Sequence, residues 1–433
     1  MLTGLKAALN NRRMLNTIKP TVLARVAVGI AIISTLILAL GLGAGNEGDV
    51  AWYQWMIHDW MAGHLPYVTH PVEYPPYALG IFLLPWVMGD SGYLINFMIL
   101  ALGLDVLVKI FLGWPRYRTL YLAEPSWRSW LPLVLYSLSE LFLGYFMLQR
   151  YDIWPMLLSV AGLGLAYQKR WFVSGVLLAL GIGAKLYPLL FVLPLAALAW
   201  QNGGKAVKSY FCGGIAGLLP LAVISFLVPW WNFLLIQGGR GLQVESLAAS
   251  ILWVAHLGWG VNAEWVRSTA WYELQGPIAL AAVPWVKVVL GVTVLLSVAL
   301  STAAVWRQKL ALNLPSLANL LLLPLTAFVI FNPVFSPQYM IWLIPLAAIA
   351  VLDSTWWPAV SLLIACVFVP AIYPVPDYFT GLQGFHCAAL VTRNLLVLAS
   401  WLGLMILGGT RCRPSVAGPV RTPRSPYKMS KVT

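Results

Sequence analysis

The chain is short of charge. Only 9% of its 433 residues are Asp, Glu, Lys or Arg, against 60% that are hydrophobic, and no soluble core of this length hides so much apolar surface. A bilayer must serve as part of the solvent. Cysteine is scarce too: Cys212, Cys366, Cys387 and Cys412 are scattered, with no CxxC and no histidine at metal-ligand spacing. Neither a disulfide framework nor a metal site is indicated, and free thiols are expected. Carboxylates number 14 against 27 lysines and arginines, a net charge of +13. In a soluble domain that excess suggests nucleic acid; in a membrane chain it is first explained by basic residues held in cytoplasmic loops, so no nucleic-acid partner is expected. There is no convincing internal repeat, and no matched pair of Gly/Pro-broken spans of the kind inverted-repeat transporters carry.

What is present is a series of apolar runs. About 20 apolar residues cross a bilayer, somewhat fewer where flanking side chains snorkel. On that measure an all-α polytopic membrane protein with twelve spans is expected: Val22–Leu42, Tyr93–Gly113, Trp130–Leu148, Trp154–Tyr167, Trp171–Ala184, Pro188–Trp200, Tyr210–Pro229, Pro277–Val305, Leu312–Phe331, Tyr339–Val351, Pro358–Ile372 and Ala388–Leu407. The run Ala78–Met88 is too short to cross and reads as an interfacial or re-entrant helix. The basic run Lys6, Arg12, Arg13, Lys19 and Arg25 precedes a full-length span and reads as the flank of a retained first helix. Residues 1–410 form one transmembrane domain, with external loops at 44–77 and 230–276. The tail 411–433 is basic, Pro-rich and expected to be a disordered cytoplasmic segment with a preference for anionic lipid. This topology puts both termini and most basic residues in the cytoplasm. Arg150, Lys185, Arg240, Arg267, Lys287 and Arg393 are the cations it leaves elsewhere. Most carboxylates and all histidines fall outside.

The polar chemistry gathers in the stretch Gly45–Tyr77, which holds Glu47, Asp49, Asp59 and Glu73 with His58, His64 and His70. Asp49 opens what reads as an amphipathic helix lying on the outer surface, with Trp52, Trp55, Met56 and Trp60 as its membrane face and Tyr53 one turn after Asp49. First-turn capping by Asp49 is an equally good reading of the spacing. His58 and Asp59 fall on the wet face. A second constellation is Gln149, Arg150, Tyr151 and Asp152 at an outer helix end, and a third is Gly183 to Pro188 with Lys185 and Tyr187. Cations there are costly near hydrocarbon and call for an anion. Asp152 is a local partner for Arg150, while Lys185 has no acid nearby in sequence and needs a lipid phosphate or Asp152 across the bundle. A Pro-punctuated turn, Asn332 to Tyr339, offers Gln338 and Tyr339 to a sugar. The external segment Trp230–Gly276 carries a second tryptophan-rich amphipathic piece, Leu247–Trp259, as a lid or acceptor platform.

GDxxxY at Gly48, EYPP at Glu73, RYDxxP at Arg150, AKLYP at Ala184 and FSPQY at Phe335 follow one another on one expected side of the membrane. In this order they resemble the GT-C glycosyltransferases of family 87, the polyprenol-phosphate-mannose-dependent mannosyltransferases, which include bacterial phosphatidylinositol mannoside mannosyltransferases. The resemblance implies a GT-C fold in the cell membrane and an inverting transfer of a sugar, mostly mannose, from a polyprenyl-phosphate donor to a hydroxyl of a lipid or glycolipid acceptor on the extracytoplasmic face. No cofactor beyond the lipid-linked donor is implied. Asp49 matches the general base, Lys185 and Arg150 match the cations holding the donor phosphate, and Tyr53, Glu73, Tyr74, Asp152, Tyr187, Gln338 and Tyr339 are expected to line the substrate site. Where the family often has histidine before the last tyrosine of FSPQY, this chain has Gln338.

The chemistry is consistent with those assignments. A carboxylate takes the acceptor hydroxyl's proton, fixed cations offset charge gathering on the departing phosphate, and a single displacement needs no second carboxylate. The alternative is a carrier or flippase for an anionic lipid or solute. That reading wants ionisable groups near the midplane, where only Asp105, Glu140, Lys287 and Arg393 are expected, without matching partners.

Overall fold

The computed structural model describes residues 20–43, 48–114, 126–267, 272–308, 312–372 and 384–411. Lys6, Arg12, Arg13, Lys19, Glu47, Arg116, Arg118, Asp377 and the tail from Cys412 onward lie outside them. The described chain is predominantly helical. In order it forms α1 (Pro20–Ala39), α2 (Gly48–Met61), α3 (Pro76–Met88), α4 (Tyr93–Gly113), α5 (Leu131–Leu141), α6 (Gly144–Gln149), α7 (Ile153–Tyr167), α8 (Trp171–Ala184), α9 (Val192–Gln201) and α10 (Gly204–Ile224). Then follow α11 (Asn232–Gly239), α12 (Leu247–Trp259), α13 (Pro277–Gln308), α14 (Leu314–Ile330), α15 (Met340–Ala350), α16 (Trp357–Val367), α17 (Val369–Ile372) and α18 (Phe385–Arg411). Around α12 the segment also makes a small antiparallel sheet in the order β1 (Leu242–Gln243), β3 (Tyr272–Gln275), β2 (Glu264–Arg267). Sequence reading gave that region only an amphipathic helix; strands of two and four residues are too short to show an alternating pattern.

Among the described residues five helices are long and apolar enough to cross a membrane: α1, the stretch Asp90–Gly113 built on α4, α10, α13 and α18. Eight shorter apolar helices accompany them, an arrangement compatible with an all-α membrane protein. The outward residues of the long helices are themselves apolar. On α13 Trp285, Val288, Val292 and Leu295 are exposed, and on α10 Phe211, Ile215, Leu219 and Val223 repeat every fourth residue. A face of that kind is expected where lipid is the solvent.

Several expected spans are divided. The run Trp130–Leu148 becomes α5 and α6, separated at Phe142 and Leu143. Pro188–Trp200 becomes a 3-10 turn, Tyr187–Phe191, leading into α9, because proline disfavours the helical conformation of the residue before it. Helix α3 turns back at Gly89, whose φ of 143° only glycine adopts easily, and lies beside α4. Tyr93 donates its hydroxyl hydrogen to the carbonyl of Phe82 at 2.8 Å, and Asn96 donates to Pro85 and Gly89. At the centre of the bundle α14 and α15 are buried along almost their whole length.

The ionisable groups expected without partners inside the spans all have them. Lys109 bridges Asp105 at 2.6 Å and Glu140 at 2.5 Å. Arg393 pairs with Glu245 at 2.9 Å, and Lys287 donates to the carbonyl of Gly238 at 2.6 Å. Lys109, near the end of the expected span Tyr93–Gly113, is 6% exposed and points inward. The Arg393 pair has a positional consequence. It joins α18 to Glu245, two residues before α12, and Asn394 adds bonds to the Glu245 carbonyl and Ser250.

Candidate functional site

Four charged residues stand at helix ends, each at the end whose dipole favours its sign. Asp49 lies in the first turn of α2 and Asp152 is the N-cap of α7, where backbone N–H groups favour an anion. Arg150 and Lys185 are the C-caps of α6 and α8, where carbonyls favour a cation. Both basic residues are extended, which turns their side chains off the helix axis and toward the two acids.

The pairing differs from the local one. Arg150 makes its ion pair with Asp49, not with Asp152 two residues on. Asp152 instead takes Lys185 from across the bundle, Nζ to Oδ1 at 2.6 Å, and the same oxygen accepts the indole N–H of Trp342 at 2.7 Å. The side chain of Asp152 is 1% exposed while that of Lys185 is 17% exposed and that of Asp49 33%. Oδ2 of Asp152 has no donor among the described residues.

Aromatic rings enclose these charges. Lys185 Nζ lies 4.6 Å from the ring centre of Tyr151, 5.1 Å from Trp342 and 5.7 Å from Tyr339, each an attractive cation–π distance. Tyr53, Tyr74, Phe82 and Tyr151 meet edge to face behind them, with Tyr53 stacked on Phe82 at 4.1 Å. Desolvation lowers the Lys185 pKa, with Arg150 adding to the fall and Asp152 and Glu73 opposing it. Burial pushes the phenols of Tyr53, Tyr74 and Tyr151 well up, and Glu73 adds to all three. These tyrosines are neutral donors at any ordinary pH.

The first-loop segment is fastened to this wall by backbone. Tyr67, whose φ is 68°, donates to the carbonyl of Tyr74 at 2.6 Å, and Gln237 of α11 donates to that of Glu73 at 3.0 Å. Tyr77 reaches across Gly183 to the carbonyl of Gly217 at 2.7 Å. A Cβ on Gly183 would stand 2.1 Å from the Tyr77 ring, so the glycine before AKLYP makes room for the tyrosine after EYPP.

Most expected site residues therefore converge: Asp49, Tyr53, Glu73, Tyr74, Arg150, Asp152, Lys185 and Tyr339. Two stand apart. Tyr187 is 2% exposed, stacked on the far face of Trp342 at 4.4 Å with its hydroxyl against Ser159, so it supports the indole. Gln338 is held by the hydroxyl of Ser336 in its own turn. The expected tryptophan face also divides: Trp52 and Trp55 are exposed and stacked at 4.6 Å, but Met56 turns inward with Tyr53 and Ile57. Tyr53 is accordingly part of the wall and not of a polar helix face. On the wet side His58 is exposed and meets Asp90 at 2.6 Å, whereas Asp59 is half-buried between His64 and His70.

Sequence reading assigned no site role to Trp342, Tyr151 or Arg240. Tyr151 sat inside a quoted motif, RYDxxP, and was legible there. Trp342 gave no signal, being one of 22 tryptophans in an apolar helix. Arg240 follows α11 in the external segment and lies within electrostatic reach of Tyr339. Comparison with protein-family models, with curated proteins and with solved structures returns no match.

Proposed function

We propose that the chain is an inverting glycosyltransferase moving a sugar, most simply mannose, from a polyprenyl-phosphate donor to a hydroxyl of a lipid or glycolipid acceptor on the extracytoplasmic side of a cell membrane. The supporting observation is the meeting of Asp49, Arg150, Asp152 and Lys185, from four separate helix ends, in one aromatic-walled cluster. Asp49, a third exposed, takes the acceptor proton as that oxygen bonds to the anomeric carbon. The bond from that carbon to the phosphate oxygen breaks with its electron pair, and Arg150 and Lys185 receive the added negative charge in a partly desolvated setting. Asp152 and Trp342 hold the lysine in place, and the free Oδ2 of Asp152 accepts a sugar hydroxyl. Both termini are cytoplasmic in this reading, as the basic loops require. The GT-C fold and the twelve-span count belong to the same proposal.

The test is purified protein with polyprenyl-phosphate-mannose and a panel of glycolipid acceptors. Transfer with inversion, lost in Asp49→Asn while donor binding persists, supports the reading. Unaltered turnover in that variant removes the base assignment, and absence of transfer from any lipid-phosphate sugar removes the function. One observation favours the alternative, a carrier for an anionic lipid or solute: the buried Asp105, Lys109 and Glu140 cluster, since ionisable groups within spans are the usual mark of transport. Solute flux into vesicles containing the protein would establish it.

A further inference from the structure

Between α1, α4 and α5 lies a polar cluster that the proposed transfer does not use. Lys109 Nζ is ion-paired with Asp105 Oδ2 at 2.6 Å and with Glu140 Oε1 at 2.5 Å, and donates to Thr35 Oγ1 at 2.7 Å. Tyr136 donates to the other oxygen of Asp105 at 2.9 Å. Of the four carboxyl oxygens, Asp105 Oδ1 has a hydrogen-bond donor, while Asp105 Oδ2 and Glu140 Oε1 have the ammonium as an ion-pair partner only. The remaining one, Glu140 Oε2, has none among the described residues, in a side chain that is 0% exposed.

We propose that Asp105, Lys109 and Glu140 form a proton-binding site within the bundle, with one proton held on the carboxyl pair and centred on Glu140. Two carboxylates against one ammonium leave a net negative charge on residues no more than 6% exposed. An uncompensated charge so placed costs several kcal/mol. Two carboxyls pressed on one cation do not both ionise cheaply, and a shared proton is the usual resolution. Among the described residues nothing else nearby supplies the missing charge. Arg25 on α1 is exposed and ten residues before Thr35, about 15 Å along the helix. Arg128, in the turn before α5, is exposed as well. Helices α3, α6, α7, α15 and α16, which also pack on α4 or α5, carry no Asp, Glu, Lys, Arg or His. Helix α2 brings Asp49, His58 and Asp59, but it meets α4 at Phe97, about two turns before Asp105.

The site takes up a proton from water without any bond change elsewhere, and it stands whether or not the transferase reading does. Infrared difference spectroscopy of the protein in lipid nanodiscs at neutral pH reads it directly. The wild type is expected to show a protonated-carboxyl stretch that shifts in D2O, and that band is expected to vanish in both Glu140→Gln and Asp105→Asn, where one carboxylate faces one ammonium. Lys109→Met is expected to roughly double the band. Glu140→Gln copies the shape of the protonated acid, so its Tm at neutral pH is expected to match the wild type. Absence of the band in folded wild-type protein overturns the proposal, and so does its survival in both variants. A Tm that rises with sodium but not with choline, without the band, assigns the site to a metal cation and overturns it equally.

Discussion

The cluster at Asp49, Arg150, Asp152 and Lys185 and the cluster at Asp105, Lys109 and Glu140 draw on the same residue types under different rules. In the first, two acids meet two bases, each at a helix end whose dipole favours it, and three of the four side chains are 16–33% exposed. In the second, two acids share one base, all three in helices and nearly sealed. A balanced, half-open cluster exchanges its internal partners for a ligand at modest cost, since water and the ligand compensate what is broken. A sealed, unbalanced one has only the proton as an adjustable member. The comparison separates a cluster open enough to take a ligand from one closed within the bundle.

The largest expected effect divides the two clusters functionally. Asp49→Asn is expected to lower sugar transfer by about 10²–10⁴-fold, the usual worth of a positioned base, whereas Glu140→Gln leaves turnover at the wild-type level. Initial rates with a saturating donor measure both. Equal losses would dissolve the distinction.

A third ionic site sharpens it: Glu245 and Arg393 are balanced one to one but sealed, with exposures of 4% and 0%. Arg393→Met strands a buried carboxylate and is expected to cost about 3–5 kcal/mol of stability. The double variant Arg393→Met, Glu245→Met removes both charges and recovers much of the loss. Because Gln243 also donates to the carbonyl of Pro333 at 2.8 Å, the single variant should loosen the Tyr339 turn and raise the donor KM. Denaturant titration in detergent, with kinetics on the same preparations, checks both.

Next in size is Gly183→Ala. The added methyl meets the Tyr77 ring and displaces its bond to Gly217, an overpacking worth about 1–3 kcal/mol. Pairing it with Tyr77→Ala should relieve most of that, since the clash needs both side chains.

How much of this was legible in the sequence varies with the range of the signal. Apolar runs gave the membrane class and the approximate helices, because a span is a local property of about 20 residues. Runs such as Trp130–Leu148 hid their breaks, since Phe142 and Leu143 are as apolar as the helices they separate. Arg150 and Lys185 stood out as cations misplaced for the expected topology, and the structure brings them to Asp49 and Asp152. Who pairs with whom did not follow: Asp49 with Arg150 is a contact across 101 positions, invisible beside the nearer Asp152. The pairing of Lys109 was hidden because one partner lies on another helix and the other one turn back. Trp342 acquires meaning only once α15 places its N–H against Asp152.

The smallest effect is a displacement on the pH axis, and it tests the balanced cluster most directly. Desolvation lowers the Lys185 pKa and Asp152 holds it up. As pH rises, the ammonium is therefore lost below the ordinary lysine range, and with it the charge that faces the phosphate. Stability has the opposite sign: the folded state binds this proton less tightly than the unfolded chain, so folding gains as pH climbs from the lowered pKa toward the ordinary one. Donor KM is expected to rise on the alkaline side before an unperturbed lysine would titrate. Asp152→Asn removes the main opposing influence and should move that rise to lower pH, while Lys185→Arg, which stays charged, should move it out of range. If Asp152→Asn leaves the alkaline limb where it was, Lys185 is not the group that titrates there, and the donor phosphate is held by Arg150 without it.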